Sequence, residues 1–237
     1  MKFSLCIPMY NESRIIAETA KKLNDYMSER FEDYEIIFSD DGSSDGSADI
    51  VKGLELPCVR VVSYPDNRGK GSAVREAMLA SLGDVVMFTD SDLAYGTEVI
   101  GQVADAFETH PECDLVLGSR NIAKDGYDGY TLLRKIASKA YITVLKTVGG
   151  LKISDSQCGC KAFRGEAARR VFSHCIVNRF AFDFEAILIA EKCGYKICEI
   201  PVKVINHGES KVNVVSDSLK MVRDIIKMKK RISKLDV

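Results

Sequence analysis

The sequence predicts an α/β fold, a mostly parallel sheet with helices on both faces, and three observations predict it. Over the first half of the chain, short apolar runs of strand length alternate with longer runs of helical period. The apolar runs stop in polar loops rich in Asp, Asn, Ser and Gly, and a parallel sheet gathers its ligands beyond those strand ends. At 237 residues the chain fits one or two domains with a sizeable core.

Phe3 to Met9 reads as a buried strand, and Tyr10-Asn11-Glu12-Ser13 supplies capping chemistry before an amphipathic helix from Arg14 to Arg30. Tyr34 to Ser39 is a second strand, stopped by Asp40-Asp41-Gly42-Ser43-Ser44-Asp45-Gly46. A helix over Ser47 to Leu54 and a strand over Val59 to Ser63 follow. The loop Asp66-Asn67-Arg68-Gly69-Lys70-Gly71 then feeds a helix to Leu82, and Val85-Val86-Met87-Phe88-Thr89 runs as a strand into Asp90-Ser91-Asp92. A helix over Thr97 to Thr109 and a strand over Asp114 to Gly118 extend the alternation, which implies right-handed crossovers. Beyond Gly118 the pattern loosens. Ser119-Arg120-Asn121 opens a loop to Tyr130 long enough to act as a lid or acceptor loop, and Thr131 to Val148 is helical. Cys158 to Arg164 reads as a turn entering a short strand; helices over Gly165 to Phe172 and Phe182 to Cys193 and a β-rich stretch over Lys196 to Val204 follow. This second half reads as an elaboration on the sheet edge. The whole is one domain over residues 1–211, with a basic amphipathic helix over 212–237 packed on it or extending from it.

Composition excludes some classes. A net charge of −1 argues against a general nucleic-acid binder. The eight cysteines lie in apolar contexts, and Cys158-Gly159-Cys160 lacks a second ligand pair for zinc, so they are expected to be reduced thiols of a cytoplasmic protein. No apolar run reaches the ~18 residues of a membrane span. Neither a phosphate-binding G-x-x-x-x-G-K-S/T nor a dinucleotide G-x-G-x-x-G is present.

Asp90 and Asp92 carry the sharpest chemistry. On an extended backbone, side chains two apart point the same way, so both carboxylates can converge at the strand exit. At roughly 6 Å and an effective dielectric near 20 their repulsion is about 3 kcal/mol, which a divalent cation removes. Hard oxygen ligands suit Mg²⁺ or Mn²⁺, with waters and substrate phosphates completing the shell. At the first two strand ends, Pro8, Tyr10 and Glu12 meet Ser39, Asp40 and Asp41. A ring offers a face to a base, and carboxylates accept from imides and ribose hydroxyls. Taken singly, such residues serve as caps and turns as readily.

In this order the motifs Ile7-Pro8-Met9-Tyr10-Asn11-Glu12, Asp40 to Gly46, Asn67-Arg68-Gly69-Lys70-Gly71 and Asp90-Ser91-Asp92 resemble those of glycosyltransferase family 2, which has the GT-A fold, a Rossmann-like sheet. Asp155 to Phe163 and Phe182-Asp183-Phe184-Glu185 look most like its dolichyl-phosphate β-glucosyltransferase branch, and Gly208-Glu209-Ser210-Lys211 is shared with the mannosyltransferase neighbours. The resemblance spans residues 3 to 211. It implies that Pro8, Tyr10, Glu12, Ser39, Asp41 and Ser91 hold the nucleoside part of a nucleotide-diphosphate sugar, that Asp90 and Asp92 hold the metal, and that Arg120, Arg134 and Lys211 face the phosphates of donor and acceptor. Ile205-Asn206-His207 stand where the mannosyl branch carries an arginine, which turns the expected donor toward UDP-glucose.

Inverting transfer to a hydroxyl needs a general base. Hydroxyl-accepting relatives resemble one another in an acidic pair where this chain has Gln157-Cys158. A phosphate oxygen needs no base, so the expected acceptor is a polyprenyl or dolichyl phosphate, with Arg120 among the catalytic residues. Asp155, Asp183 and Glu185 remain as bases for a saccharide or other hydroxyl acceptor, and a non-catalytic nucleotide-sugar-binding subunit is a third reading. From Val215 to Leu235, Val215, Leu219, Met221, Val222, Ile225, Ile226, Met228, Ile232 and Leu235 cover one side at helical period, while Lys220, Arg223, Lys227, Lys230, Arg231 and Lys234 gather on the other. Such a helix either packs its apolar side on the core or lies on an anionic membrane, and the near-uniform sign favours the membrane, at its cytoplasmic face. A homo-oligomer or membrane-protein partner stays open.

Overall fold

A computed structural model describes residues 1–123, 126, 143, 147, 150, 152–179, 181–205 and 218–236. Among these, seven strands form one sheet: β1 (Phe3–Met9), β2 (Tyr34–Asp40), β3 (Val59–Ser63), β4 (Val85–Phe88), β5 (Leu115–Ser119), β6 (Lys161–Arg164) and β7 (Ile197–Pro201), in the order β3-β2-β1-β4-β6-β5-β7. Every pairing is parallel except the two that β6 makes. The described helices are α1 (Ile16–Arg30), α2 (Ser47–Gly53), α3 (Lys70–Ala80), α4 (Glu98–Thr109), α5 (Gly165–His174), α6 (Phe182–Lys192) and α7 (Ser218–Ile232).

Strand alternation sorts the core into two layers. Leu5 and Ile7 of β1 with Val85 and Met87 of β4 pack with α1 and α4, while Cys6, Val86 and Phe88 pack with α3, α5 and α6 on the opposite face. Because helices cover both faces, β1 and β4 are buried at every residue. The mostly parallel sheet expected from the sequence is what the structure contains.

The expected edge elaboration is corrected. β6 lies inside the sheet, antiparallel between β4 and β5, with Val86 opposite Phe163 and Val116 opposite Ala162. The short strand expected after Cys158 is present, and its central place is compatible with a lysine because the fully buried Lys161 ammonium donates to Asp183 Oδ1 at 2.7 Å and to the carbonyl of Cys158. Cysteine chemistry is corrected too. Parallel pairing of β5 with β7 brings Cys113 and Cys198, 85 residues apart, to a Cα separation of 6.0 Å, and they form a disulfide. The other six are free thiols.

The described apolar side of α7 packs on the core, with Ile225, Met228 and Ile232 buried in the same layer as α6. Ile226, grouped with that side in the sequence, is 54% exposed, and Arg231, grouped with the basic side, turns inward. Lys227, Lys229, Lys230 and Lys234 remain exposed. Among the described residues no helix is long and apolar enough to cross a membrane. Val215, Arg134, His207, Lys211 and most of the helix expected over Thr131 to Val148 lie outside the described residues.

Candidate active site

The chain leaves β1 for β2 and β3 on one side, then returns to β4 on the other. The carboxyl ends of β1 and β4 therefore flank a switch point, where an open α/β sheet leaves a crevice for ligands. The loops after β1 and β2 are stitched together there. Asn11 N–H donates to Ser43 Oγ and Ser44 N–H to Asn11 Oδ1, both at 2.9 Å. Glu12 N–H donates to Ser47 Oγ and Ser13 N–H to Asp45 Oδ2, again at 2.9 Å. Burial opposes ionisation of Asp45, but the bonds from Ser47 and Ser13 hold its carboxyl well below the usual range.

Tyr10 follows the last residue of β1 and is 43% exposed. Pro8 and Ser39 are buried, and Ser39 Oγ has no hydrogen-bond partner among the described residues. Asp41, expected to hold a nucleoside, organises a neighbouring loop: its carboxylate accepts from Tyr64 Oη at 2.7 Å and from the N–H groups of Arg68 and Gly69 at 2.8 Å. Gly42, at φ +71°, lets that loop approach, since a Cβ there would lie 2.8 Å from the Asp66 backbone.

Asp90 and Asp92 do not share an extended strand. β4 ends at Phe88, and the backbone turns, with Leu93 N–H donating to Asp90 O at 3.2 Å and Leu93 itself at φ +49°. Thr19 Oγ1 steadies the turn by donating to the carbonyl of buried Ser91 at 2.8 Å. Burial first, then the charge of Asp90, raises the Asp92 carboxyl above its ordinary value. Lys70, at the start of α3, donates to Asp90 Oδ1. Burial opposes its charge, yet Asp90, Asp183 and Asp92 hold its pKa above the usual lysine value. Across the site, Gly159 makes room for Asp90 Oδ2, because a Cβ there would fall inside contact distance of it.

These residues fit a divalent cation. Burial and the neighbouring Asp90 charge, which Lys70 and the Ala94 N–H only partly offset at Asp92, are what such an ion would relieve, and a glycine at 159 keeps a side chain off Asp90. Among the described residues no group of three or more His, Cys, Asp or Glu could hold a metal alone, so the remaining ligands would be waters and donor phosphates.

Arg120, expected to face a phosphate, is buried, and it donates from Nε at 2.7 Å and Nη2 at 2.9 Å to Asp155, whose side chain is 0% exposed. Burial works against the Asp155 charge, but Arg120 holds it below the ordinary range. Glu199 of β7 accepts from Ser154 N–H, Ser154 Oγ and Asp155 N–H, which fixes the segment that presents Asp155. The two other carboxylates weighed as bases are also engaged, Asp183 by Lys161, and Glu185 by the N–H groups of Ile176 and Val177 and by Arg231. Burial raises both their pKa values, against the pull of Lys161 and Lys70 on Asp183 and of the Val177 N–H and Arg231 on Glu185.

A cleft of about 300 Å³ is lined by Tyr95, Glu98, Gln102, Ala123, Lys203 and Ile205 among others. Tyr95 Oη accepts from Gly159 N–H at 3.3 Å, which ties the cleft to the glycine against Asp90. Sequence reasoning missed Lys70, Gly159, Lys161 and Glu199. Lys70, Gly159 and Lys161 stood inside recognised motifs and could have been weighed; nothing local marks Glu199.

Residues 4–172 match the profile described as glycosyl transferase family 2. The chain is similar to a dolichyl-phosphate beta-glucosyltransferase of Dictyostelium discoideum, 32% identical over 241 residues that take in 96% of this chain and 74% of that one. It is similar also to the dolichyl-phosphate beta-glucosyltransferase of Saccharomyces cerevisiae, 26% identical over 242 residues, 94% of this chain and 72% of that one. Among solved structures, glucosyl-3-phosphoglycerate synthase from Mycobacterium tuberculosis with Mn²⁺, uridine diphosphate and phosphoglyceric acid superposes at a TM-score of 0.71 and 19% identity, covering 100% of this chain and 80% of that one. That likeness shows the fold.

Proposed function

The chain belongs to glycosyl transferase family 2 and is a glycosyltransferase, and we propose that it moves glucose from UDP-glucose onto a polyprenyl or dolichyl phosphate with inversion at the sugar carbon. The relatives named dolichyl-phosphate beta-glucosyltransferase support the acceptor class and the sugar, and the Mn²⁺ and uridine diphosphate held by the fold neighbour support the donor class.

In this reading Tyr10 stacks on the base, and Pro8, Glu12, Ser39, Asp41 and Ser91 shape the nucleoside site, Asp41 through the loop it holds. Asp90 and Asp92 would hold a Mg²⁺ or Mn²⁺ ion, which would supply Lewis-acid stabilisation of the departing diphosphate. Lys70 adds a positive charge beside Asp90 and keeps its carboxylate oriented. Arg134 and Lys211 are assigned the acceptor phosphate by resemblance alone, and Arg120 fixes the start of the acceptor loop through Asp155.

One observation carries the phosphate acceptor: Asp155, Asp183 and Glu185 each already hold a structural partner. A phosphate oxygen is anionic at neutral pH and attacks without a base. The exposed Lys227 and Lys230 of α7 and Lys234 just beyond its end would contribute roughly 1 kcal/mol each near an anionic leaflet, so the protein works peripherally at the cytoplasmic face of a membrane.

The test is turnover of a panel of nucleotide sugars with polyprenyl phosphate, saccharide and phosphoglycerate acceptors, in Mn²⁺ or Mg²⁺, with co-sedimentation on anionic and neutral vesicles alongside. Preference for UDP-glucose and the lipid phosphate supports the reading. Transfer to hydroxyl acceptors alone would overturn it.

A further inference from the structure

Arg231 lies on the last turn of α7, far along the chain from every motif, yet its bonds lead toward Asp90. Its Nη2 donates to Glu185 Oε1 at 2.5 Å and its Nη1 to the carbonyl of His174 at 3.1 Å. Glu185 is fully buried, and its other oxygen accepts from Ile176 N–H at 3.0 Å and Val177 N–H at 2.8 Å. The 175–178 segment so held then receives the start of α3. Gly71 N–H donates to Asn178 O at 2.8 Å, Ser72 N–H reaches the same carbonyl at 3.3 Å, and Arg75 Nη1 bonds Asn178 Oδ1 at 3.0 Å.

The contact admits no side chain. A Cβ on Gly69 would lie 2.5 Å from Asn178 O, and one on Gly71 2.5 Å from Val177 O. Between those glycines stands Lys70, whose ammonium is on Asp90. Gly69 N–H, on the other side, is bound by Asp41. Lys70 is thus aimed by a backbone clamped from two directions, and one of the clamps ends in the C-terminal helix.

We propose that Arg231 is a positioning residue for the donor site: through Glu185 and the 175–178 segment it sets the N-terminus of α3, and with it the placement of Lys70 against Asp90. The donor consequence rests on the function proposed above; the mechanical coupling does not. The buried Glu185 carboxylate, which resembles a candidate base in the sequence, is the joint of this relay. α7 becomes part of the frame of the donor site, whatever else its exposed lysines meet.

Hydrogen exchange resolved to single amides tests the coupling, on the full chain carrying Arg231→Met, Arg231→Lys or Glu185→Gln, with Lys227→Met on the exposed side of α7 as the control. Arg231→Met and Glu185→Gln should each speed exchange at Gly71 and Ser72 by about tenfold or more, leave β1 and β4 protected, and weaken binding of uridine diphosphate with Mn²⁺ by about tenfold. Arg231→Lys should recover part of both effects, and Lys227→Met, whose proposed role is confined to a membrane surface absent from both measurements, should match wild type in exchange and in uridine diphosphate binding. If Arg231→Met proves too unstable to measure, Arg231→Lys against Lys227→Met carries the same comparison. Unchanged exchange at Gly71 and Ser72, or a loss of protection spread evenly over the sheet, would overturn the proposal. Failure of the wild type to bind uridine diphosphate would count against the donor reading and leave the exchange result to stand alone.

Discussion

Replacing Arg120 by Met tests the buried pair that this residue forms with Asp155. The substitution removes the bonds from Nε and Nη2 and leaves Asp155, 0% exposed, with the backbone N–H groups of Arg120 at 3.2 Å and Gln157 at 3.1 Å. Stranding one partner of a buried pair costs about 3–5 kcal/mol. For a chain of this length each kcal/mol moves the melting temperature by about 2–4 °C, so a fall of about 6–20 °C is expected. The pH dependence should change sign. In the wild type the Asp155 carboxyl is held low, so its contribution is complete above the unfolded value near 3.9 and is lost as pH falls through the folded value. Without the guanidinium, burial lifts the carboxyl above about 3.9, the native state binds the extra proton, and stability now rises as pH falls from 7 toward 4. Adding Asp155→Asn should remove that slope and recover most of the loss. Thermal and urea melts from pH 4 to 8 decide the matter. A loss below about 1 kcal/mol, or an unchanged pH profile, would refute the reasoning and return Arg120 to an open phosphate site.

Three further outcomes are expected. Asp92→Asn should abolish transfer and the melting rise that Mn²⁺ with uridine diphosphate gives the wild type, yet melt higher than the wild type without metal at pH 7; the raised carboxyl makes the wild type lose stability as pH climbs through its folded value, and calorimetry with and without ligand reads both effects. Gly159→Ala should drive a methyl into the space of Asp90 Oδ2 and weaken Mn²⁺ and nucleotide binding by about 10- to 100-fold, measured by titration calorimetry alongside activity. Cys113→Ser should cost up to about 4–5 kcal/mol, the loop-closure entropy of a separation of 85 residues, and melting with and without reductant should reproduce the loss in the wild type.

Local chemistry made much of this protein legible. The alternation of strand and helix runs, the stop of each strand in acidic or glycine-rich loops, and the order of those loops required only neighbours in sequence, because side-chain period and turn chemistry are written within a few residues. They were enough for the sheet, the family and the pairing of Asp90 with Asp92, but not for the turn that carries the pair, because β4 ends at Phe88, short of the extended run expected. Pairing across the chain lay beyond that reach. That β6 enters the middle of the sheet, that Cys113 meets Cys198, that Asp155 neutralises Arg120 and that Arg231 reaches Glu185 all depend on contacts between segments from 35 to 85 residues apart. A buried charge is tolerated only where its partner arrives with the right geometry, and a sequence lists the charges without saying which will meet. Only the tertiary structure decided which carboxylates remain at the crevice and which are tied into the frame that holds it.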